Sequence, residues 1–320
     1  MNKLSPVIFG TSCLGNLYKD IPFETKKAIA AEWFKAYDCP TIDSAGKYGA
    51  GLSLECIGKA LRELGKSPSE ISISVKLGWR RSRRLEKGEE PTFEPGAWAN
   101  LGWDAMQDIS YDGIIRCYNE AKSLLGGYPI DMVSVHDPDE YLAAAKDRTA
   151  AKEDILGAYR ALFELKSQGE AQAVGIGAKD WRAIKELWQS GVNFDWTMFA
   201  CAPPLLVHPQ ELIDFVSELK QNGVLLIDSA VFNGGFLTGG AHIDYRPADP
   251  IRDAEAFAFR QRYLALCEEF KIDPAAPAVE YAYRLGFDSV ALNTSSPKRI
   301  LQNAAYGSFR APEEFWRRLA

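Results

Sequence analysis

Four residues in the chain have side chains and positions that could do chemistry together. Asp43 lies in the β-rich run "TIDSA" (41–45), and Tyr48 follows it in "KYGAG". Lys76 closes "ISISVK" (71–76) and His136 closes "DMVSVH" (131–136). A free tyrosine titrates at about 10, too high for a useful base at neutral pH. An ammonium beside the phenol favours the phenolate and lowers that value, and a carboxylate paired with the ammonium fixes the cation in place. An imidazole alongside can orient a substrate oxygen or share its proton. The set would make Tyr48 an acid/base beside a carbonyl or alcohol carbon. Taken singly, each residue has a structural reading: Asp43 as a turn cap, Tyr48 as a loop anchor, Lys76 snorkelling to solvent, His136 in the core. Their joint position at the ends of neighbouring strands is what favours function.

The elements that must position them can be read from the same pattern. Strands are predicted at 7–12, 41–45, 71–76, 131–136, 173–177, 194–200, 224–230 and 288–293. Amphipathic stretches such as "ETKKAIAAEWFKAY", "SLECIGKALRELG", "KEDILGAYRALFELKSQG" and "AEAFAFRQRYLALCEEF" alternate with them. Repeated β-then-α units require parallel strands with helical crossovers. The number of units and the 320-residue length predict a (β/α)8 TIM barrel over 1–320 as a single domain. No GxGxxG opens a helix after a strand, so an open doubly wound sheet lacks its usual mark. In barrel enzymes functional groups sit at the C-terminal strand ends, where these four residues fall. The segment from Gly78 to Ser110 is longer than most connections and is expected to arch over that mouth.

Composition narrows the partners. Net charge is −6, which argues against nucleic acid, whose phosphates need a concentrated basic surface. No apolar run approaches the roughly 20 residues needed to span a bilayer, and "MNKLSPVIFGTS" has no long apolar core, so a soluble cytoplasmic protein is expected. The six cysteines include no CxxC pair and the three histidines form no HExxH, so free thiols are expected and no metal site.

Asp43, Tyr48 in "KYGAG", Lys76 and His136 in "HDPD" resemble the catalytic tetrad of the aldo-keto reductases. The likeness runs from "FGTSCLG" to "SSPKRILQN". It implies a nicotinamide-dependent barrel oxidoreductase with Tyr48 as general acid/base, Lys76 and Asp43 tuning it, and His136 positioning substrate. A hydride carrier is needed because side chains cannot supply one. The resemblance places that cofactor along Gly10, Asp43, Gly177, Lys179, Ser229, Phe232, Asn233, Gly235, Leu237, Asn293, Thr294, Arg299 and Asn303. Ser296 followed by Pro297 reads as an N-cap and first helical position, with Arg299 and Asn303 on one helix face. Many members have lysine where this chain has Asn293, which tilts the expectation from NADP toward NAD, with NADP use still open through Arg299.

The "VFN.G.L..G" pattern at 231–240, with "HDPD" and "SYDG", is similar to the aldose 1-dehydrogenase branch, whose members oxidise L-fucose, D-arabinose or L-galactose, with relatives acting on pyridoxal. The implied reaction takes the anomeric carbon to the lactone. Trp79, Trp98 and Trp103 could offer flat faces to a sugar, together with Tyr48 and His136; packing of at least two of the three tryptophans is the commoner outcome. The arginines of "WRRSRR" read as a solvated stretch offset by "EKGEE". Departures from the family pattern are "GIGAKDW" where a Ser-Asn pair is usual, with Lys179 or backbone as substitute, Leu54 where a glutamate is usual, with Glu55 one later, and "CAPP" without an aromatic after strand 6. Three other functions fit the residues: an NADPH-dependent aldehyde or pyridoxal-type reductase, a Schiff-base aldolase using Lys76, and a non-enzymatic nucleotide-binding barrel.

Overall fold

The computed structural model describes residues 4–202, 205–243 and 246–319. Eight parallel strands close a barrel: β1 (Val7–Gly10), β2 (Thr41–Ala45), β3 (Ser72–Leu77), β4 (Met132–His136), β5 (Ala173–Ala178), β6 (Trp196–Ala200), β7 (Leu225–Ser229) and β8 (Ser289–Asn293). Each neighbours the next in sequence and β8 pairs with β1, as a (β/α)8 barrel requires. All eight predicted strands are present, with ends shifted by one or two residues in either direction.

Two-residue alternation along the strands builds both the core and the site. One set of side chains, including Phe9, Ile42, Val75, Val133 and Ile176, faces outward into the main core beneath the helices. The other set points into the barrel, where Ile8, Met132, Ala173, Trp196, Met198 and Ile227 form an apolar filling. One or two steps further along the same inward rows stand Gly10, His136, Gly177 and Ser229. The inward row thus changes from apolar to polar at the C-terminal mouth.

Helix α1 (Phe23–Ala36) and helix α2 (Leu52–Glu63) follow the predicted patterns closely. The helix expected to begin near Lys152 instead starts at Arg148. Asp147 caps it, its carboxylate accepting from the Thr149 and Ala150 N–H groups at 2.9 and 3.0 Å.

The long segment after β3 is a folded element of its own. Trp79–Arg84 and Trp103–Gln107 pair as an antiparallel hairpin, and Phe93, Trp98, Leu101 and Ala105 form a small apolar cluster with Ala50. Its tip is tied back to the barrel by Tyr18 N–H donating to Ala97 O at 2.7 Å and Ala99 N–H to Asn16 O at 3.0 Å. The "WRRSRR" arginines are occupied locally, Arg80 by Asp108 at 2.6 Å, Arg81 by Glu55 at 2.6 Å and Arg83 by Glu89 at 2.7 Å. Glu55, displaced by one position from the family pattern, is therefore engaged by the hairpin.

The turn carrying Tyr48 is clamped by close backbone approach. A Cβ on Gly15 would stand 2.6 Å from the Tyr48 carbonyl carbon, and one on Gly49 would stand 2.3 Å from Gly15 O. Gly49 also has a φ of +63°, a region that glycine enters without penalty. Gly15→Ala should therefore lower stability by about 1–3 kcal/mol, the usual cost of overpacking, read as a reduced urea midpoint with the m-value unchanged.

Candidate active site

The structure brings the four predicted residues together. Lys76 Nζ donates to the Asp43 carboxylate, whose other oxygen accepts from Ser74 Oγ at 3.1 Å. The same ammonium lies 5.0 Å from the centre of the Tyr48 ring. The His136 ring meets Tyr48 edge-on, with centroids 5.6 Å apart and planes at 86°. All four line one cavity of about 950 Å³ at the C-terminal mouth. Hydroxyl groups brace the end of β2: Thr11 Oγ1 donates to Asp43 O at 2.9 Å, and Ser53 Oγ donates to Thr11 O at 2.9 Å.

The electrostatics differ in one respect from the sequence expectation. Burial raises the Tyr48 phenol, and the neighbouring Lys76 cation opposes that rise without cancelling it, so the net direction is upward. Desolvation of the phenolate outweighs one ammonium. Burial alone would lower Lys76, but the Asp43 carboxylate, and Tyr48 after it, hold its pKa above the usual lysine range. His136 is driven well below its ordinary value, first by burial and then by the Lys47, Lys76 and Lys179 cations. Its imidazole is neutral at physiological pH, and among the described residues its Nδ1 is buried without a hydrogen-bond partner.

Most of the positions expected to hold a dinucleotide line the same cavity. Gly10, Gly177, Lys179, Ser229, Phe232, Gly235, Asn293, Thr294, Arg299 and Asn303 all line it. Asn233 and Leu237 do not; they are 1% and 0% exposed and pack behind the wall, because the turn after β7 folds back on itself. Gly235 N–H donates to Phe232 O at 3.0 Å and Asn233 N–H to Ala230 O at 2.9 Å within that turn, leaving Ala230–Phe232 and Gly234 against the cavity. Ser296 makes no side-chain cap, and the helix after it opens as a 3-10 turn over Pro297–Arg299 before continuing as Ile300–Tyr306. The Lys179 ammonium is drawn to Glu140 at 2.5 Å and to Asp137 at 3.9 Å, the latter beside His136. Pro203 and Pro204 of "CAPP" fall outside the described residues; Met198 and Ala200 form the β6 part of the wall.

This wall fits a nicotinamide dinucleotide. A Cβ on Gly177 would stand 3.3 Å from Lys76 Cδ and 3.9 Å from Met198 Cβ, so the glycine leaves open a slot beside the tetrad. The far end offers a guanidinium, amides and hydroxyls suited to ribose and phosphate. Asp273 lines it too, held by Gln302 Nε2 at 2.7 Å and the Tyr306 hydroxyl at 2.6 Å. Sequence reasoning missed Asp273 because its "DPAA" context reads as an ordinary helix start.

Of the three tryptophans, Trp98 alone reaches the cavity. Trp79 packs on Phe93 at 5.9 Å, with the Lys47 ammonium 5.2 Å from its ring centre, and Trp103 lies under Arg81 and Arg84 on the hairpin; neither lines the cavity. A cluster of charges that sequence reasoning left aside stands beside the tetrad, with Lys47, Glu94 and Asp137 lining the cavity. Lys47 Nζ contacts Glu94 at 2.7 Å, Glu140 at 3.3 Å and Asp137 at 3.5 Å. Lys47 and Asp137 are the immediate neighbours of Tyr48 and His136 in the quoted motifs, so adjacency was the available signal.

Fold and site together define a (β/α)8 barrel with a tyrosine–lysine–aspartate–histidine constellation at its mouth. The profile of the Aldo/keto reductase family matches residues 6–320, and the chain belongs to that family. It is an NAD(P)-dependent oxidoreductase. It is 30% identical to a pyridoxal 4-dehydrogenase of Microbacterium luteolum, over 96% of this chain and 90% of that protein. It is 25% identical to a D-threo-aldose 1-dehydrogenase of a Pseudomonas species, over 98% and 92% respectively. Among solved structures, a glycerol dehydrogenase of Gluconobacter oxydans superimposes with a TM-score of 0.72 at 19% identity, covering 99% of this chain and 90% of that one.

The depressed His136 has a consequence for stability. The unfolded chain takes up a proton on this histidine below about pH 6.5, whereas the native site resists it. Its contribution is therefore full above that pH and is lost as pH falls, at no more than about 1.4 kcal/mol per pH unit. Urea unfolding of wild type and His136→Gln at pH 7 and pH 5 should show the wild type losing more stability than the variant on acidification.

Proposed function

We propose that the protein oxidises the anomeric carbon of an aldose to the lactone with NAD as the preferred acceptor, and that it does so in the cytoplasm. The observation that carries the reading is the Asp43–Lys76–Tyr48 arrangement in a cavity of about 950 Å³ that Gly10, Gly177, Ser229, Asn293 and Arg299 also line. When bound, the nicotinamide supplies the acceptor for the C1 hydride that no side chain provides. Tyr48 takes the proton of the C1 hydroxyl, and Lys76 favours that transfer by stabilising the phenolate that precedes it. Asp43 keeps the ammonium charged and in place. Neutral His136 hydrogen-bonds the substrate oxygen without competing for the proton.

Cofactor preference is read from charge. Asn293 donates to Ser12 Oγ at 3.0 Å and brings no cation, while Asp273 adds a carboxylate to the same end of the cavity. Arg299 stands against them. A 2′-phosphate adds nearly two negative charges, which this balance disfavours.

The reductase reading uses the same site in reverse. The raised Tyr48 phenol favours it, because a protonated phenol is the form that donates to a carbonyl. A Schiff-base role for Lys76 is disfavoured: imine formation needs a neutral amine, and Asp43 holds this one as ammonium.

A panel of aldoses with NAD and NADP, followed at 340 nm and set beside simple aldehydes with NADPH, separates the two directions. Tyr48→Phe should slow turnover by at least about a hundredfold, the lower end of an acid/base contribution, while NAD affinity measured by fluorescence titration stays within about threefold. A variant of near wild-type rate would remove Tyr48 from the chemistry. Asn293→Lys should tighten NADP binding by roughly threefold to tenfold, the value of one added charge contact; calorimetry showing no change would refute the charge argument for this end of the cavity.

A further inference from the structure

The charged cluster beside the tetrad is built unlike a simple surface salt bridge. Lys47 is 3% exposed and Asp137 is 7% exposed, yet both line the cavity that holds Tyr48 and His136. Asp137 has a φ of +47°, a conformation that non-glycine residues adopt rarely. It occupies the N-cap position of the helix Pro138–Ala144 but makes no side-chain cap. Its Oδ2 lies 3.5 Å from Lys47 Nζ and 3.6 Å from His136 Nε2. The backbone is thus turned so that a carboxylate faces the reacting centre where it would ordinarily cap a helix.

Two ammonium groups, Lys47 and Lys179, face three carboxylates, Glu94, Asp137 and Glu140. Such a set has no excess cation to attract an anion. It offers an ammonium donor and a carboxylate acceptor a few ångströms apart, which is the spacing of neighbouring hydroxyls on a sugar ring. Trp98, with its ring centroid 6.1 Å from that of Tyr48, adds a flat apolar wall to the same region.

We infer that Lys47 and Asp137 form the subsite that reads the hydroxyl groups of a neutral, polyhydroxylated substrate and so decide which aldose is accepted. This rests on the aldose reading above. Lys47 donates to one ring hydroxyl and Asp137 accepts from that hydroxyl or the next, while Glu94 of the insertion holds the lysine side chain in line. Lys47 and Asp137 act here as specificity determinants; proton transfer stays with Tyr48.

Removing hydroxyls from the sugar and charges from the protein tests the assignment as a cycle. kcat/KM is measured for the best aldose and for each of its monodeoxy analogues, in the wild type and in Lys47→Met. In the wild type, at least one analogue should be poorer by about ten- to hundredfold, the worth of one hydrogen bond to a charged group. In Lys47→Met that ratio should collapse toward one, chiefly through KM, and Lys47→Arg should restore part of it. Asp137→Asn tolerates the same backbone conformation and carries the same prediction if Lys47→Met fails to fold. A ratio that survives in both variants, with every substrate losing equally, would mean that the cluster only ties the insertion to the barrel, and would overturn the assignment. A wild type that turns over no aldose would overturn the substrate reading itself, and this assignment with it.

Discussion

A buried ion pair, Asp43 with Lys76, is the interaction on which the site depends. Both residues are almost entirely removed from water, at 3% and 4% exposure. An unpaired charge in that position would cost several kcal/mol, and breaking such a pair typically costs about 3–5 kcal/mol. The pair can form only because β2 and β3 lie in parallel register, with Asp43 opposite Ser74 and Ala45 opposite Lys76. That register sets Lys76 diagonally above Asp43 on the inward face. Any slip by one residue would turn the lysine into the packed layer beneath the helices.

The pair also determines what its neighbours can be. By holding Lys76 as a cation, it places a fixed positive charge beside the Tyr48 ring and on one side of His136. Lys47 and Lys179 stand on the other side, so protonating the imidazole would add a fourth cation to a desolvated space. The result is a neutral hydrogen-bonding group between two charged systems. Tyr48 experiences the opposite balance, since burial favours the neutral phenol and Lys76 favours the anion. Burial prevails, so the neutral phenol is the favoured form in the free site.

The insertion after β3 joins fold to selectivity. Trp79, Phe93 and Trp103 pack within the hairpin and its small apolar cluster, while Glu94, Pro95, Ala97 and Trp98 line the cavity, Trp98 serving both. Leu17, Tyr18 and Asn16 from the β1 side fasten its tip, and Ala50 from the loop after β2 accepts from Arg81 Nε at 2.9 Å, so the roof of the site is fixed by contacts to two separate loops.

The sequence by itself determined the strand order, the (β/α)8 closure and the four strand-end groups. Two-residue alternation and helical spacing are local properties, and a closed barrel converts position along a strand directly into position around the mouth. The family pattern carried most of the cofactor wall for the same reason. Only the tertiary structure decided which tryptophan faces the cavity, that Asn233 and Leu237 lie behind it, and that Lys47, Glu94, Asp137, Glu140 and Lys179 converge. Those outcomes depend on loop paths, and a loop's path is set by long-range packing and by backbone conformations such as the left-handed Asp137. The direction of the Tyr48 shift belongs with them, because desolvation is a property of the assembled site and no single residue type encodes it.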